Sequence, residues 1–309
     1  MPRHLPAKGT IATADDPAPA DIPSGWAWLA CALLLLACTA SGNAAAAGDV
    51  GRGQYVAIAG GCVGCHTEDR KDAPPFAGGH ALKTSYGTFY GPNLTPHPQA
   101  GLGRWSEADF VRAMRVGVRP DGAHYYPAFP YPSFTRISDG DLADLWAYLR
   151  SLPPNSRPNQ AHEVRFPFRW RYAIAGWKWL FFTPGPPVSD SRRTALLDRG
   201  GYLVEALGHC GECHTPRNFL GAVKRDRPFA GGKGPTGKDV PNLTPTRLQK
   251  WSDAELKEFL VSGITPDFDS ADESMAEVVR NMTSRLTPAD LAAMIAYLRA
   301  LPPLPEASR

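Results

Sequence analysis

Residues Cys62 to His66 have the sequence Cys-Val-Gly-Cys-His, and residues 210–214 repeat the pattern as Cys-Gly-Glu-Cys-His. The two motifs begin 148 residues apart in a chain of 309 residues. They contain four of the six cysteines; the other two, Cys31 and Cys38, lie near the N-terminus. A five-residue pattern that occurs twice at this distance indicates an internal duplication.

Four further segments recur in the same order after both motifs. Their offsets, between 146 and 153 residues, are close to that of the cysteine motif. The pairs are Phe76–Gly79 with Phe229–Gly232, Pro92–Pro96 with Pro241–Pro245, Trp105–Ser106 with Trp251–Ser252, and Tyr148–Pro154 with Tyr297–Pro303. This order predicts two copies of one domain, at residues 48–154 and 196–309, joined by a linker at residues 155–195.

Each copy is predicted to consist of helices separated by loops rich in proline and glycine. A serine or threonine followed three positions later by an acidic residue marks four helix starts, because its hydroxyl oxygen can cap free backbone N–H groups. These residues are Ser106, Ser138, Ser252 and Thr287. The last helix of each copy ends at a double proline, which cannot continue the hydrogen-bond ladder. Since no alternating strand pattern of useful length is found, the predicted class is all-α.

The N-terminal region has the features of an export signal. Trp26 to Ala40 is an apolar run of fifteen residues, shorter than the about 20 residues that span a membrane. Small residues follow it up to Ala47, so residues 1–47 are predicted to be a cleavable signal peptide. Two alternatives stay open, namely an uncleaved anchor and a lipoprotein cleavage site at Cys38.

Composition argues against other classes of function. The 33 lysines and arginines nearly balance 30 aspartates and glutamates, so the formal charge is only +3. Nucleic-acid-binding proteins usually have a strong basic excess, so no nucleic-acid partner is predicted. The hydrophobic content of 43% supports a packed core. No constellation of residues for acid–base catalysis stands out.

The repeated motif is the signature of covalent c-type haem attachment. Its two cysteines bond the porphyrin, and the adjacent histidine ligates the iron. Cys62, Cys65, Cys210 and Cys213 are therefore the predicted attachment sites, with His66 and His214 as iron ligands. A zinc or redox site is disfavoured, because the complete motif occurs twice behind an export signal. No cysteine of the exported chain is left for a disulfide.

With these motifs in place, each copy resembles a class I cytochrome c domain. The exported chain also resembles the multihaem cytochrome subunits of bacterial periplasmic dehydrogenases, which act on alcohols, aldehydes or nicotinate. The matching stretches are Tyr126–Tyr131, Gly200–Glu205 and Cys213–Asn218. The resemblance implies two covalently bound haem c groups. Members of that family often carry three haems, whereas this chain has two motifs.

A methionine usually supplies the sixth iron ligand in such domains. In the second copy, Met275 follows His214 by 61 residues and is the predicted ligand. Met282 is an alternative, and Met294 lies on the apolar face of the last helix, where a core role is expected.

The first copy differs at the equivalent position. Subtracting the Trp105/Trp251 offset from Met275 gives Phe129, which cannot ligate iron. His124 in the same loop is the candidate sixth ligand. Alternatives are an iron without a protein sixth ligand, Met114, or one of His80, His97 and a tyrosine. The two haems are therefore predicted to differ in reduction potential.

The linker contains eight aromatic residues between Phe166 and Phe182, interspersed with arginines and a lysine. One interpretation is a segment whose rings are buried between the two copies. The other is a docking surface for a membrane or a partner subunit.

The resemblance implies a periplasmic two-haem cytochrome, with attachment to the membrane left open. It would accept electrons from a partner dehydrogenase and pass them to a soluble cytochrome or a terminal oxidase. The alternative is a haem enzyme that reacts at an open first iron, such as a peroxidase or a sulfur-compound oxidoreductase.

Overall fold

A computed structural model of the chain describes residues 48–185, 193–234 and 236–306. The predicted signal peptide, including its two cysteines, lies outside the described residues. The described residues belong to one compact unit. Within them, no helix is long and apolar enough to cross a membrane.

Helices form most of the regular structure. The first half contains α1 Val50–Ala59, α2 Cys62–His66, α3 Glu107–Val116, α4 Tyr131–Phe134 and α5 Asp139–Ser151. The linker contributes α6 Ala173–Phe181. The second half contains α7 Ala195–Gly201, a π-helical turn Tyr202–Leu207, α8 Gly211–His214, α9 Pro245–Leu248, α10 Asp253–Ser262, α11 Glu273–Asn281, a 3₁₀ turn Thr283–Arg285 and α12 Pro288–Ala300.

The four predicted helix starts are confirmed. Ser106, Ser138, Ser252 and Thr287 are the N-caps of α3, α5, α10 and α12, and each hydroxyl accepts a hydrogen bond from a backbone N–H three residues later. Helices α5 and α12 end just before their double prolines.

Short strands are also present, which the all-α prediction omitted. In the first half, β1 Ala81–Thr84, β2 Gly87–Tyr90 and β3 Glu163–Val164 form an antiparallel sheet in that order. In the second, β4 Gly232–Lys233 pairs with β5 Asp239–Val240. Strands of four residues or fewer are too short for a recognisable alternation of polar and apolar residues.

Each half is built on a close crossing of its first and last helices. A Cβ atom added to Gly53 in α1 would lie 1.9 Å from the backbone oxygen of Asp144 in α5. In the second half, a Cβ on Gly200 would lie 2.0 Å from the backbone oxygen of Ala293. Only glycine permits backbones to approach this closely.

The two halves exchange matching hydrogen bonds. The Tyr55 hydroxyl of the first half donates to Asp290 of the second at 2.6 Å, and the Tyr202 hydroxyl donates to Asp141 of the first at 2.5 Å. Each hydroxyl also accepts the N–H of the helix cap beside that aspartate, Thr287 or Ser138, at 3.1 Å. These reciprocal contacts relate the halves by an approximate twofold arrangement.

The linker contacts both halves, but most of its rings face solvent. Phe166, Phe168, Trp170, Tyr172 and Trp179 are exposed, so the interpretation of buried rings is wrong for five of the eight aromatic residues. The inward side of α6 is occupied by Ile174, Trp177 and Lys178 instead.

Replacing either crossing glycine should destabilise the protein. We expect Gly53→Ala and Gly200→Ala each to lower the free energy of unfolding by about 3 kcal/mol, because the new methyl group would force two backbones apart. Gly140→Ala is the matched control, since a Cβ there meets nothing within 4 Å. Urea titration of the three variants would contradict this packing if Gly53→Ala and Gly140→Ala unfolded alike.

Candidate haem sites

The two motif histidines have the same hydrogen-bond partner. Nδ1 of His66 lies 2.8 Å from the carbonyl oxygen of Pro92, and Nδ1 of His214 lies 2.8 Å from that of Pro241. A carbonyl oxygen only accepts hydrogen bonds, so Nδ1 carries the proton and Nε2 keeps its lone pair. A backbone carbonyl on the other ring nitrogen is the usual support of a metal-binding histidine.

Burial keeps both imidazoles neutral. It lowers the pKa of His66 to about 4, despite the opposing effect of the Pro92 carbonyl. Burial also lowers the pKa of His214. Because a histidine must be neutral to bind a metal, both side chains are ready to ligate at pH 7.

The repeated Phe-Ala-Gly-Gly segments shape the loops around these histidines. Phe76 and Phe229 adopt left-handed backbone conformations, with φ of 62° and 61°, which are rare for a bulky residue. The hydroxyl oxygens of Thr67 and Thr215 accept their backbone N–H groups at 3.1 and 3.0 Å. The threonine that follows each histidine therefore fixes the strained turn.

Two buried asparagines hold the Pro-Asn-Leu-Thr-Pro loops in place. Oδ1 of Asn93 accepts the Thr95 N–H at 2.9 Å, and its Nδ2 donates to the Asn155 carbonyl at 2.8 Å. Asn242 repeats both bonds with Thr244 and Leu304. These positioning residues were missed by sequence reasoning, although their place in a repeated segment marked them.

The four motif cysteines are free of disulfides. Burial raises the pKa of both Cys62 and Cys210 to about 12 and also raises that of Cys213. The pKa of Cys65, which is partly accessible to solvent, is raised to about 11. The largest cause is the loss of water around the thiol, and the nearby negative charges of Glu277 and Cys213 add to it. Two cysteines free of disulfides, followed directly by a neutral imidazole whose Nε2 can ligate a metal, fit a covalently attached haem.

The two motifs lie next to the boundary between the halves. The Ser133 hydroxyl donates to Glu212 of the second motif at 3.1 Å. In the matching contact, a Cβ on Gly64 of the first motif would lie 3.1 Å from Asn281. The candidate sites are therefore neighbours within one compact unit.

The methionines occupy different environments. Met114, Met282 and Met294 are buried in the core, and the Met282 methyl group would be 2.6 Å from a Cβ on Gly208. Met275 is half-buried in the first turn of α11, where its N–H donates to Asp272 at 3.0 Å. The Asp272 carboxylate is close enough to raise the pKa of His214, against the larger effect of burial. Met275 thus remains the candidate ligand.

The equivalence of Phe129 and Met275 is supported by the loops before them. Isolated bridges pair Val118 with His124 and Ile264 with Ser270, at the same offset of 146 residues. Phe129 lies five residues after His124, and Met275 lies five residues after Ser270. Its half-buried ring packs against Tyr125, Tyr131 and Phe134, with centroids 5.2, 6.3 and 5.7 Å away.

His124 contacts the linker. Its Nδ1 lies 3.0 Å from Nζ of Lys178, and its backbone carbonyl accepts a hydrogen bond from Arg171 at 2.9 Å. Burial and then the Lys178 charge lower the pKa of His124. Of the other histidines, His97 accepts loop N–H groups and His80 lies 4.0 Å from Glu277.

The fold and the paired histidine sites define a c-type cytochrome, and residues 50–153 match the cytochrome c family. The chain is also 45% identical over 260 residues to a diheme c-type cytochrome from Cereibacter sphaeroides, covering 82% of this chain and 86% of that protein. The chain therefore belongs to the diheme c-type cytochromes and carries covalently bound haem c.

Components of larger dehydrogenases are also similar. A nicotinate dehydrogenase subunit from Pseudomonas putida is 42% identical over 258 residues, which are 83% of this chain and 22% of that protein. The cytochrome c subunit of quinone alcohol dehydrogenase from Gluconobacter oxydans is 36% identical over 302 residues, covering 93% of this chain and 62% of that protein. The chain thus spans only part of either of these two relatives.

Removing one cysteine pair should remove one haem. We expect Cys62→Ala/Cys65→Ala and Cys210→Ala/Cys213→Ala each to retain a single covalent haem, whereas the control Cys31→Ala/Cys38→Ala retains two. The mass of the denatured protein and the pyridine haemochrome spectrum give the haem count. Two haems in either motif variant would contradict the assignment.

Proposed function

We propose that the chain is an electron carrier made of two tandem class I cytochrome c domains with a helical core. The domains comprise residues 48–154 and 196–309, and residues 155–195 link them. It accepts electrons from a partner dehydrogenase and passes them to a soluble cytochrome or a terminal oxidase. The observation that carries this proposal is the same histidine geometry in both halves. In each half, Nδ1 of the motif histidine donates to a proline carbonyl, so Nε2 keeps its lone pair for iron.

The residues in this proposal have separate roles. Cys62 and Cys65 hold the first haem and Cys210 and Cys213 the second, with His66 and His214 ligating the two irons. Met275 supplies the sixth ligand of the second iron. When bound, each haem supplies a reversible one-electron couple of its iron.

The position of the motifs supports transfer between them. Both lie at the boundary between the halves, which is fixed by the reciprocal Tyr55–Asp290 and Tyr202–Asp141 hydrogen bonds. An electron entering at one site therefore has a neighbouring acceptor held at a constant distance. The chain contributes position and tuning rather than a catalytic group.

The partner and the compartment are inferred from the relatives and the N-terminus. Relatives named as cytochrome subunits of alcohol and fructose dehydrogenases support a dehydrogenase as electron donor. The apolar run and the small residues before residue 48 support export to the periplasm.

A second candidate function is chemistry at an open first iron, as in a peroxidase or a sulfur-compound oxidoreductase. The observation that favours it is Phe129 in the methionine position. Beside it, Tyr131 has a buried hydroxyl without a hydrogen-bond partner among the described residues. Carbon monoxide binding to one haem of the reduced protein would support this candidate, and no binding at either haem would exclude it.

The partner can be tested by substrate-driven reduction. We expect the tagged chain to co-purify with a dehydrogenase from its native membranes, and the substrate of that enzyme to reduce both haems anaerobically. Absorbance of the reduced haems follows the reaction, with the Cys210→Ala/Cys213→Ala variant as a one-haem control. A chain that retains no dehydrogenase and is reduced by no alcohol, aldehyde, sugar or nicotinate would contradict the proposed donor.

The two haems should titrate separately. We expect two potentiometric waves, with Phe129→Met raising the potential of one haem and Met275→Leu lowering that of the other, because a thioether ligand raises the potential. His124→Ala should alter the spectrum of the first haem if its imidazole is the sixth ligand. Two coincident waves in the unmodified protein, unmoved by Phe129→Met, would contradict the assigned ligand position.

A further inference from the structure

Helix α6 of the linker turns an apolar face toward solvent. Tyr172, Ala175, Gly176, Trp179 and Leu180 follow helical spacing and form what we name the linker face. Tyr172 is 96% exposed, Trp179 84% and Leu180 58%. A Cβ on Gly176 would meet nothing within 4 Å, so this face is uncovered in the described part of the chain.

The opposite side of α6 is attached to both halves. Nζ of Lys178 contacts His124 of the first half at 3.0 Å, and Nε1 of Trp177 donates to the carbonyl of Leu220 in the second at 3.0 Å. Ile174 is buried. Two-sided attachment holds the helix in one orientation, so the apolar side is presented by the fold rather than exposed by fraying.

This orientation differs from that of an ordinary surface helix. A surface helix normally buries its apolar residues and exposes its charges, whereas α6 directs its half-buried lysine toward the protein and exposes tryptophan, tyrosine and leucine. Contiguous exposed apolar surface marks a site of interaction. Phe166 and Trp170, which precede the helix in the chain, are also 66% and 58% exposed, and the centroids of their rings lie 5.4 Å apart.

The exposed charged side chains among these aromatic residues are arginines. Residues 164–185 contain three arginines and one lysine and no aspartate or glutamate. The exposed Glu163 precedes them and accepts a hydrogen bond from the Tyr90 hydroxyl at 2.8 Å. Arg165 and Arg169 are exposed beside the aromatic residues. These two exposed charges complement an anionic surface, whereas Arg171 and Lys178 are directed toward His124 on the inward side.

We propose that the linker face, with Phe166 and Trp170, binds the surface of a bilayer that contains anionic lipids. The rings lie at headgroup depth, and Arg165 and Arg169 contact lipid phosphates. The nine residues of α6 are too few to span a bilayer, so the helix lies in the plane of the membrane.

A lipid surface fits this face better than a protein partner does. Within the linker face, the only groups that can form hydrogen bonds through a side chain are the Tyr172 hydroxyl and the Trp179 indole N–H. Rings with an apolar body and one polar tip are enriched at membrane interfaces. The inference is independent of the haem ligands, because it uses only the linker.

Vesicle flotation of the exported two-haem protein tests this proposal. We expect binding to phosphatidylcholine vesicles that contain phosphatidylglycerol, and at least tenfold weaker partitioning of Trp179→Asp/Leu180→Asp. Arg165→Gln/Arg169→Gln should weaken partitioning by about fivefold per arginine, with loss of the preference for phosphatidylglycerol. Phe268→Asp removes an exposed ring outside the linker and should bind like the unmodified protein.

The haem spectrum and the thermal midpoint show whether each variant is folded. The proposal is overturned if the unmodified protein does not float with anionic vesicles, or if the folded Trp179→Asp/Leu180→Asp variant floats as well as it does. It is also overturned, in favour of a protein interface, if that variant loses a co-purifying dehydrogenase while no form of the chain binds vesicles.

Discussion

The hydrogen bond between the Nδ1 of each motif histidine and a proline carbonyl is the interaction on which each candidate haem site depends. It fixes the tautomer of His66 and His214 and leaves Nε2 free for iron. Much of the surrounding structure serves to hold that carbonyl. Asn93 and Asn242 tie the proline loops to the segments after the double prolines, and threonine hydroxyls stabilise the left-handed phenylalanines. The shared order of the repeated segments in the two halves thus has a physical reason.

The second constraint is geometric. Glycine in the first helix of each half allows its backbone to touch that of the last helix, and a tyrosine from each half then reaches the helix cap of the other. The same boundary brings the two cysteine motifs close together. The Ser133 hydroxyl donates a hydrogen bond to Glu212 of the second motif, and Asn281 packs beside Gly64 of the first. Stability and the spacing of the redox sites are therefore set by the same contacts, and a mutation that loosens the boundary would affect both.

Local chemistry allowed much of this to be predicted from the sequence. Helix caps, double prolines and the cysteine motifs each act within a few residues, and the four helix starts were predicted correctly. The short strands escaped prediction because two to four residues are too few to show an alternating pattern. The roles of the buried asparagines escaped it because their partners lie 62 residues away in the chain. The linker shows the limit most clearly. Its aromatic residues were visible in the sequence, but the side of α6 that faces the protein is decided by Lys178 and Trp177, which find partners only in the folded chain.

The central claim is that one duplicated scaffold holds two haems with different axial ligands, because Phe129 stands where the second half has Met275. Near-infrared magnetic circular dichroism of the fully oxidised protein tests this directly, since its charge-transfer bands report the axial ligand pair of each low-spin haem and a high-spin iron gives bands of its own. The account predicts one histidine–methionine haem and one haem of another ligation in equal amounts. Two histidine–methionine haems, or none, would contradict it.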